Sequence, residues 1–171
     1  MANITRINKC RSCDCDLLDS LLDLGTLAFT GRFPANKHED VPSGPLELLI
    51  CTSCSLVQLA HNFDPNDLYC ESYGYRSGIN STMQNHLSGI IDDINARLTL
   101  RASDIVIDIG SNDGTLLSKY SHKEIHRVGI DPTIVQFESY YDPSIIRIAD
   151  FFSEPVCREF GVGQAKVITS I

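Results

Sequence analysis

Four cysteines in two pairs are the residues whose types and spacing point most directly to chemistry. Cys10-Arg11-Ser12-Cys13 is followed, after 37 intervening residues, by Cys51-Thr52-Ser53-Cys54. Each Cys-x-x-Cys places two thiolates on a tight turn at a bite suited to a tetrahedral ion, and two such turns complete a closed four-sulfur site of the structural zinc type. A redox Cys-x-x-Cys competes for each pair taken alone, and duplication between turn residues favours zinc. Cys15 stands beside the first pair as a spare thiol able to compete as ligand, whereas Cys70 and Cys157 read as ordinary buried cysteines.

A second candidate site follows an apolar run. Ile105-Val106-Ile107-Asp108-Ile109-Gly110-Ser111-Asn112-Asp113-Gly114-Thr115-Leu116-Leu117 reads as buried strand, tight loop and helix start. Two glycines suit a backbone that turns sharply or approaches a ligand closely, and a following helix would offer unpaired N–H groups. Asp131, at the end of the short strand Arg127–Ile130, lies 21 positions beyond Gly110, the separation at which an acid commonly holds ribose hydroxyls. Further strands are expected at 145–149, ending in Asp150 and Phe151, and at 165–171. Each acid falls at a strand's C-terminal end, where open parallel sheets bind ligands.

The elements that position the cysteines are strands. Leu17 to Gly25 reads as a short strand or turn segment ending at Gly25, residues 31–45 as an extended loop, and Leu46–Ile50 and Leu56–Leu59 as a hairpin around the second cysteine pair. Such a ribbon carries too little apolar surface to fold unaided, so the ion would supply much of its folding free energy. A turn and short helix are expected at Asp64–Tyr69. The polar, aromatic stretch from Tyr73 through Tyr75, Ser77 and Asn80 then precedes a helix from about Thr82 to Leu98, with His86 placed on its surface or in the core rather than in catalysis.

The chain has 171 residues, 43% hydrophobic, with net charge −8 and pI near 4.9, which argues against nucleic acid or an anionic membrane as partner. No run approaches the about 18 apolar residues of a membrane helix, and there is no signal-peptide core. An odd count of seven clustered cysteines suits a reducing, cytoplasmic compartment.

Taken together, these motifs resemble the class I S-adenosylmethionine-dependent sugar C-methyltransferases with an N-terminal zinc-binding domain. The residues that carry the resemblance are both Cys-x-x-Cys pairs, the Leu56-Val57-Gln58-Leu59 segment, the Tyr75-Arg76-Ser77-Gly78 turn with His86 nine residues beyond Ser77, and the Asp108–Leu117 loop. Asn112 departs from the general motif, where many members carry Gly. The resemblance implies an α/β fold: a zinc-ribbon-like module over residues 1–70, a connecting loop and helix over 71–100, and over 101–171 the N-terminal part of a doubly wound, Rossmann-like methyltransferase domain. It implies S-adenosylmethionine held by Tyr75, Ser77, Asp108, Gly110, Ser111, Asn112, Gly114, Asp131, Pro132, Asp150 and Phe151, and structural zinc held by Cys10, Cys13, Cys51 and Cys54.

The implied substrate is a nucleotide-linked 4-keto deoxysugar, methylated on the carbon beside the keto group after a base removes its proton. The principal acid–base residues are expected beyond Ile171, leaving Tyr75 as the catalytic candidate. Ile171 falls inside an apolar strand, and four strands are legible where the family's sheet has seven. A truncated domain with little or no turnover is therefore expected. The competing readings are a zinc-ribbon interaction module on an α/β scaffold and a dehydrogenase, the latter weakened by the lack of a full Gly-x-Gly-x-x-Gly.

Overall fold

The computed structural model describes residues 4–31, 33–69, 73–122 and 124–171, and Cys70 lies outside them. The chain divides into two compact units, Met1–Gly74 and Tyr75–Ile171.

The first unit is built from strands. β1 (Thr5–Arg6) pairs with β5 (His61–Asn62), and β2 (Leu18–Ala28), β3 (Ser43–Cys51) and β4 (Val57–Leu59) form an antiparallel sheet in the order β2-β3-β4. The hairpin β3–β4 carries the second cysteine pair at its turn, as its apolar flanks imply. β2 does not stop at Gly25. That glycine takes a left-handed φ of +70°, its N–H bonds the Asp23 carboxylate at 2.8 Å, and the ladder resumes at Thr26 opposite Pro45. A glycine at such a φ bulges the strand instead of ending it, so β2 runs on to Ala28 and its partner β3 begins at Ser43, inside the expected 31–45 loop. The short helix α1 (Pro65–Leu68) is capped by the Asp64 carboxylate on the Asn66 N–H. Among the described residues of this unit the buried apolar set is small: Cys10, Phe29, Leu49, Cys51 and Ala60.

The second unit is an α/β layer structure. Helix α2 (Ser81–Arg97) begins where the Asn80 side chain accepts the Met83 N–H at 2.7 Å. Its Leu87 and Ile91 are buried, and His86 is exposed. Then come β6 (Ile105–Ile109), α3 (Thr115–Ser118), β7 (His126–Ile130), α4 (Ile134–Phe137), β8 (Ile146–Ile148), α5 (Glu154–Glu159) and β9 (Ala165–Ser170).

The four strands are parallel in the order β8-β7-β6-β9. Successive side chains of a strand point to opposite faces. Val106 accordingly packs with Leu87, Ile91, Leu117, Tyr120 and Tyr141, while Ile107 packs with Val128, Ile130, Ile148 and Val156 on the other side. Both faces are covered, which is why β6 reads as an unbroken apolar run. The chain leaves β6 in one direction for β7 and β8 and returns on the other side as β9. That switch of side, between β6 and β9, puts the loop after β6 at the C-terminal edge of the sheet, the position at which doubly wound sheets take ligands.

Candidate functional site

Two sites emerge, one in each unit. In the first, the sulfurs of Cys10, Cys13, Cys51 and Cys54 all lie within 4.8 Å of one another. The Cys10–Cys54 and Cys13–Cys51 separations are both 3.6 Å. A tetrahedron of thiolates at a Zn–S length of about 2.3 Å has edges of about 3.8 Å, so the donor set fits zinc in kind, number and spacing.

The two knuckles repeat one backbone design. Cys10 and Cys51 each receive on their carbonyl the N–H of the residue four on, Asp14 and Ser55, at 3.0 and 2.8 Å. Each donates its own N–H to the residue five on, Cys15 and Leu56, at 2.8 and 2.9 Å. Asp14 and Ser55 are matched at left-handed φ values of 61° and 64°. Backbone N–H groups of Cys13 and Ser12 hold the Cys10 thiol down to about 6, and that of Cys54 lowers Cys51 in the same way. Cys15 stays outside the cluster, and its sulfur accepts the Leu17 N–H at 3.3 Å. Cys157 is half-buried against the sheet core of the other unit.

The second site is the loop after β6, in the crevice between β6 and β9. Gly110, Asn112 and Gly114 have φ values of +73°, +51° and +73°. At Gly114 a Cβ would lie 2.7 Å from the Tyr141 ring, so both conformation and space require glycine. Ser111 Oγ donates to Tyr141 Oη at 2.7 Å, and that hydroxyl donates to the Asn112 carbonyl at 3.0 Å.

Asp131 sits one residue past β7. Its Oδ2 accepts the Asn112 N–H at 2.9 Å, and its Oδ1 accepts the Thr133 N–H and hydroxyl at 2.7 and 2.6 Å. Asp113 accepts the Thr115 hydroxyl at 2.6 Å and its N–H at 3.2 Å, together with the Gly78 N–H at 2.9 Å. The expected helix after the loop is therefore only the single turn α3, and its first N–H is taken by Asp113 rather than left free. A left-handed Gly114 stands at its start, and the Asp113 carboxylate caps the Thr115 N–H.

Asp108 is 4% exposed near the end of β6, and Thr169 of β9 donates its hydroxyl to Oδ1 at 2.7 Å. Burial, with the nearby Asp131 charge, pushes the Asp108 carboxyl up to about 6 against that hydrogen bond. Burial likewise raises Tyr120 to about 12 and Tyr141 further.

Among the residues nominated from sequence, the structure gathers Tyr75, Ser77, Ser111, Asn112 and Asp131 into one hydrogen-bonded cluster, with Gly110 and Gly114 in the same loop. Tyr75 and Ser77 join through their backbones: the Tyr75 carbonyl accepts from Asn112 Nδ2 at 3.0 Å, and the Ser77 N–H donates to Asn112 Oδ1 at 2.9 Å. Pro132 follows Asp131 directly. Asp150 and Phe151 lie beyond β8, the outermost strand, with Asp150 accepting the Phe151 N–H. Sequence reasoning did not nominate Arg76, Thr133, Tyr141 or Thr169. The available signals were the Tyr75-Arg76-Ser77-Gly78 turn for Arg76 and, for Thr169, a threonine among the apolar residues of β9.

The electrostatics of this loop select a ligand class. Asp108, Asp113 and Asp131 are all buried around it, and the N–H groups of Gly110, Asn112, Gly114 and Thr115 are already bonded within the protein. Such a setting disfavours a pyrophosphate, which needs free donors and positive potential, and suits a ligand that is neutral or cationic.

Residues 10–69 match the family described as "Putative zinc binding domain". The chain is also 28% identical over 137 residues to the C-methyltransferase NovU of Streptomyces niveus, an alignment covering 77% of this chain and 32% of that protein. The chain thus spans about a third of the length of the curated relative it matches.

Proposed function

We propose, from the premise that this chain is by family the N-terminal portion of a methyltransferase carrying a zinc-binding domain, that its second unit binds S-adenosylmethionine for C-methylation of a nucleotide-linked 4-keto deoxysugar beside the keto group. The observation that carries the reading is the acidic loop at the β6/β9 crevice. A sulfonium cofactor brings positive charge toward Asp108, Asp113 and Asp131, where a dinucleotide would bring negative charge. Within this assignment Asp131 holds the ribose hydroxyls, the Ser111–Gly114 backbone lies against the cofactor's amino-acid portion, and Asp150 with Phe151 flanks the adenine. Tyr75 is the candidate for touching the reacting centre.

The four thiolates hold zinc as a closed structural ion, which organises the first unit and leaves no open position for substrate. Four thiols kept reduced suit a cytoplasmic compartment. Among the described residues, no helix is long and apolar enough to cross a membrane.

Calorimetric titration of the chain with S-adenosylhomocysteine tests the cofactor assignment. Saturable binding is expected, weakened about tenfold or more in Asp131→Ala, which removes the ribose acceptor and the anchor of the Asn112 N–H. Binding of NADH without S-adenosylhomocysteine would restore the dehydrogenase reading. A second reading, an interaction module, is favoured by exposed Leu21, Leu22, Leu24 and Leu27 on β2. A zinc-loaded chain that binds neither S-adenosylhomocysteine nor NADH would support it.

A further inference from the structure

Asn112 occupies a left-handed φ of +51°, where glycine carries no strain and asparagine is the next best tolerated residue. Both ends of its side-chain amide are engaged: Oδ1 accepts the Ser77 N–H at 2.9 Å and Nδ2 donates to the Tyr75 carbonyl at 3.0 Å. The amide thereby acts as a surrogate backbone partner for the segment Tyr75–Gly78. Asp113 continues the same seam. It accepts the Gly78 N–H at 2.9 Å and lies 3.8 Å from Arg76 Nε.

The Arg76 guanidinium also stacks over Tyr140, 3.7 Å from the ring centroid. At Gly78 an added Cβ would come within 2.6 Å of Thr115 Oγ1 and 2.7 Å of Asp113 Oδ2, so the segment lies flush against the loop. Two consecutive loop residues thus hold a strap of four residues by its backbone, independently of what the Tyr75 and Ser77 side chains do.

We propose that Asn112 is a positioning residue whose amide fixes the Tyr75–Gly78 strap beside the loop as one wall of the S-adenosyl pocket, so that losing the amide speeds ligand release. The role rests on the cofactor assignment above. Its signature is a change in affinity that comes from a side chain whose amide oxygen and nitrogen both bond the protein's own backbone.

The test is Asn112→Gly in the full chain. Glycine accepts the same φ and keeps the N–H bond to Asp131, so folding and melting temperature are expected to stay near wild type. Two readouts are measured: amide hydrogen exchange of the ligand-free protein, and equilibrium and stopped-flow binding of S-adenosylhomocysteine. The variant is expected to exchange its 76–79 amides about tenfold faster with strands β6 and β7 unchanged, and to bind about tenfold more weakly, mostly through faster release. Arg76→Met, which leaves the loop backbone untouched, is expected to shift both readouts the same way by a smaller factor.

Wild-type binding with unchanged affinity and release rate in Asn112→Gly would overturn the positioning role while leaving the cofactor assignment intact, as would unchanged exchange in the strap. Absence of S-adenosylhomocysteine binding by the wild-type chain would overturn the cofactor assignment and the role together.

Discussion

The two units solve the problem of holding a chain together by different means. In the first, β2 runs eleven residues with nearly every side chain in solvent, Leu21 and Leu24 more than half exposed, and the buried apolar set among the described residues is a handful of which two are zinc-site cysteines. In the second, Leu87, Ile91, Val106, Leu116, Leu117, Ile130 and Ile148 fill two layers on either side of a parallel sheet. Four thiolates drawn to one ion can replace a core, because the binding free energy of structural zinc in small modules is itself folding free energy, about 10–16 kcal/mol. The comparison assigns metal dependence to one unit and burial dependence to the other.

The sharpest way to break that assignment is to remove the metal. Chelation, or Cys51→Ser with Cys54→Ser, is expected to release about one zinc per chain, counted by metal analysis against protein concentration. Hydrogen exchange is expected to collapse protection across β2, β3 and β4 while leaving β6 and β7 as they were. Protection of β2–β4 that survives metal loss would mean that the sparse core of the first unit suffices after all.

The converse perturbation is Leu117→Ala. Leu117 is fully buried beneath the loop and touches the α2 side of the sheet. Truncation is expected to destabilise the second unit by about 3 kcal/mol, with zinc content unchanged. Urea titration followed by exchange of the 105–130 amides measures it. A loss of bound zinc on this substitution would contradict the separate dependences.

How far each unit was readable follows from the same contrast. The cysteine ligands announce themselves by residue type and spacing, so the metal set needs no knowledge of the fold. The backbone that presents them was not readable, because aspartate at position 14 tolerates positive φ without marking it and serine at position 55 gives no such signal. β6 and β7 were legible as apolar runs bounded by polar turns, and their order follows from parallel crossover logic. The loop's supports were not. Tyr141 reaches Ser111 across 30 positions, Thr169 reaches Asp108 across 61, and the Asn112 amide reaches Tyr75 across 37. Single long-range hydrogen bonds leave no periodic trace. Gly25, taken as a stop, is a bulge because its partner strand continues past it.

The smallest expected effect probes what the acidic loop costs the unit that burial holds. The folded-state pKa of Asp108, about 6, lies above the ordinary aspartate value of 3.8. A carboxyl raised on folding adds stability that is complete below the unfolded value and is lost as pH rises from about 4 to about 6. Asparagine keeps an acceptor for the Thr169 hydroxyl and carries no charge. The stability of Asp108→Asn relative to wild type is therefore expected to improve by about 2 kcal/mol between pH 4.5 and pH 7.5, read from exchange or urea midpoints of β6. Subtracting one protein from the other cancels the opposing titrations they share, including those of the zinc thiolates and of Glu47, which its bond to Arg6 holds down to about 2. A pH-independent difference would show that Asp108 is not the strained group. The expected slope, joined to weaker S-adenosylmethionine binding by the same variant, would mean that a burial-held unit keeps a buried charge at its crevice for the ligand's sake and not for the fold's.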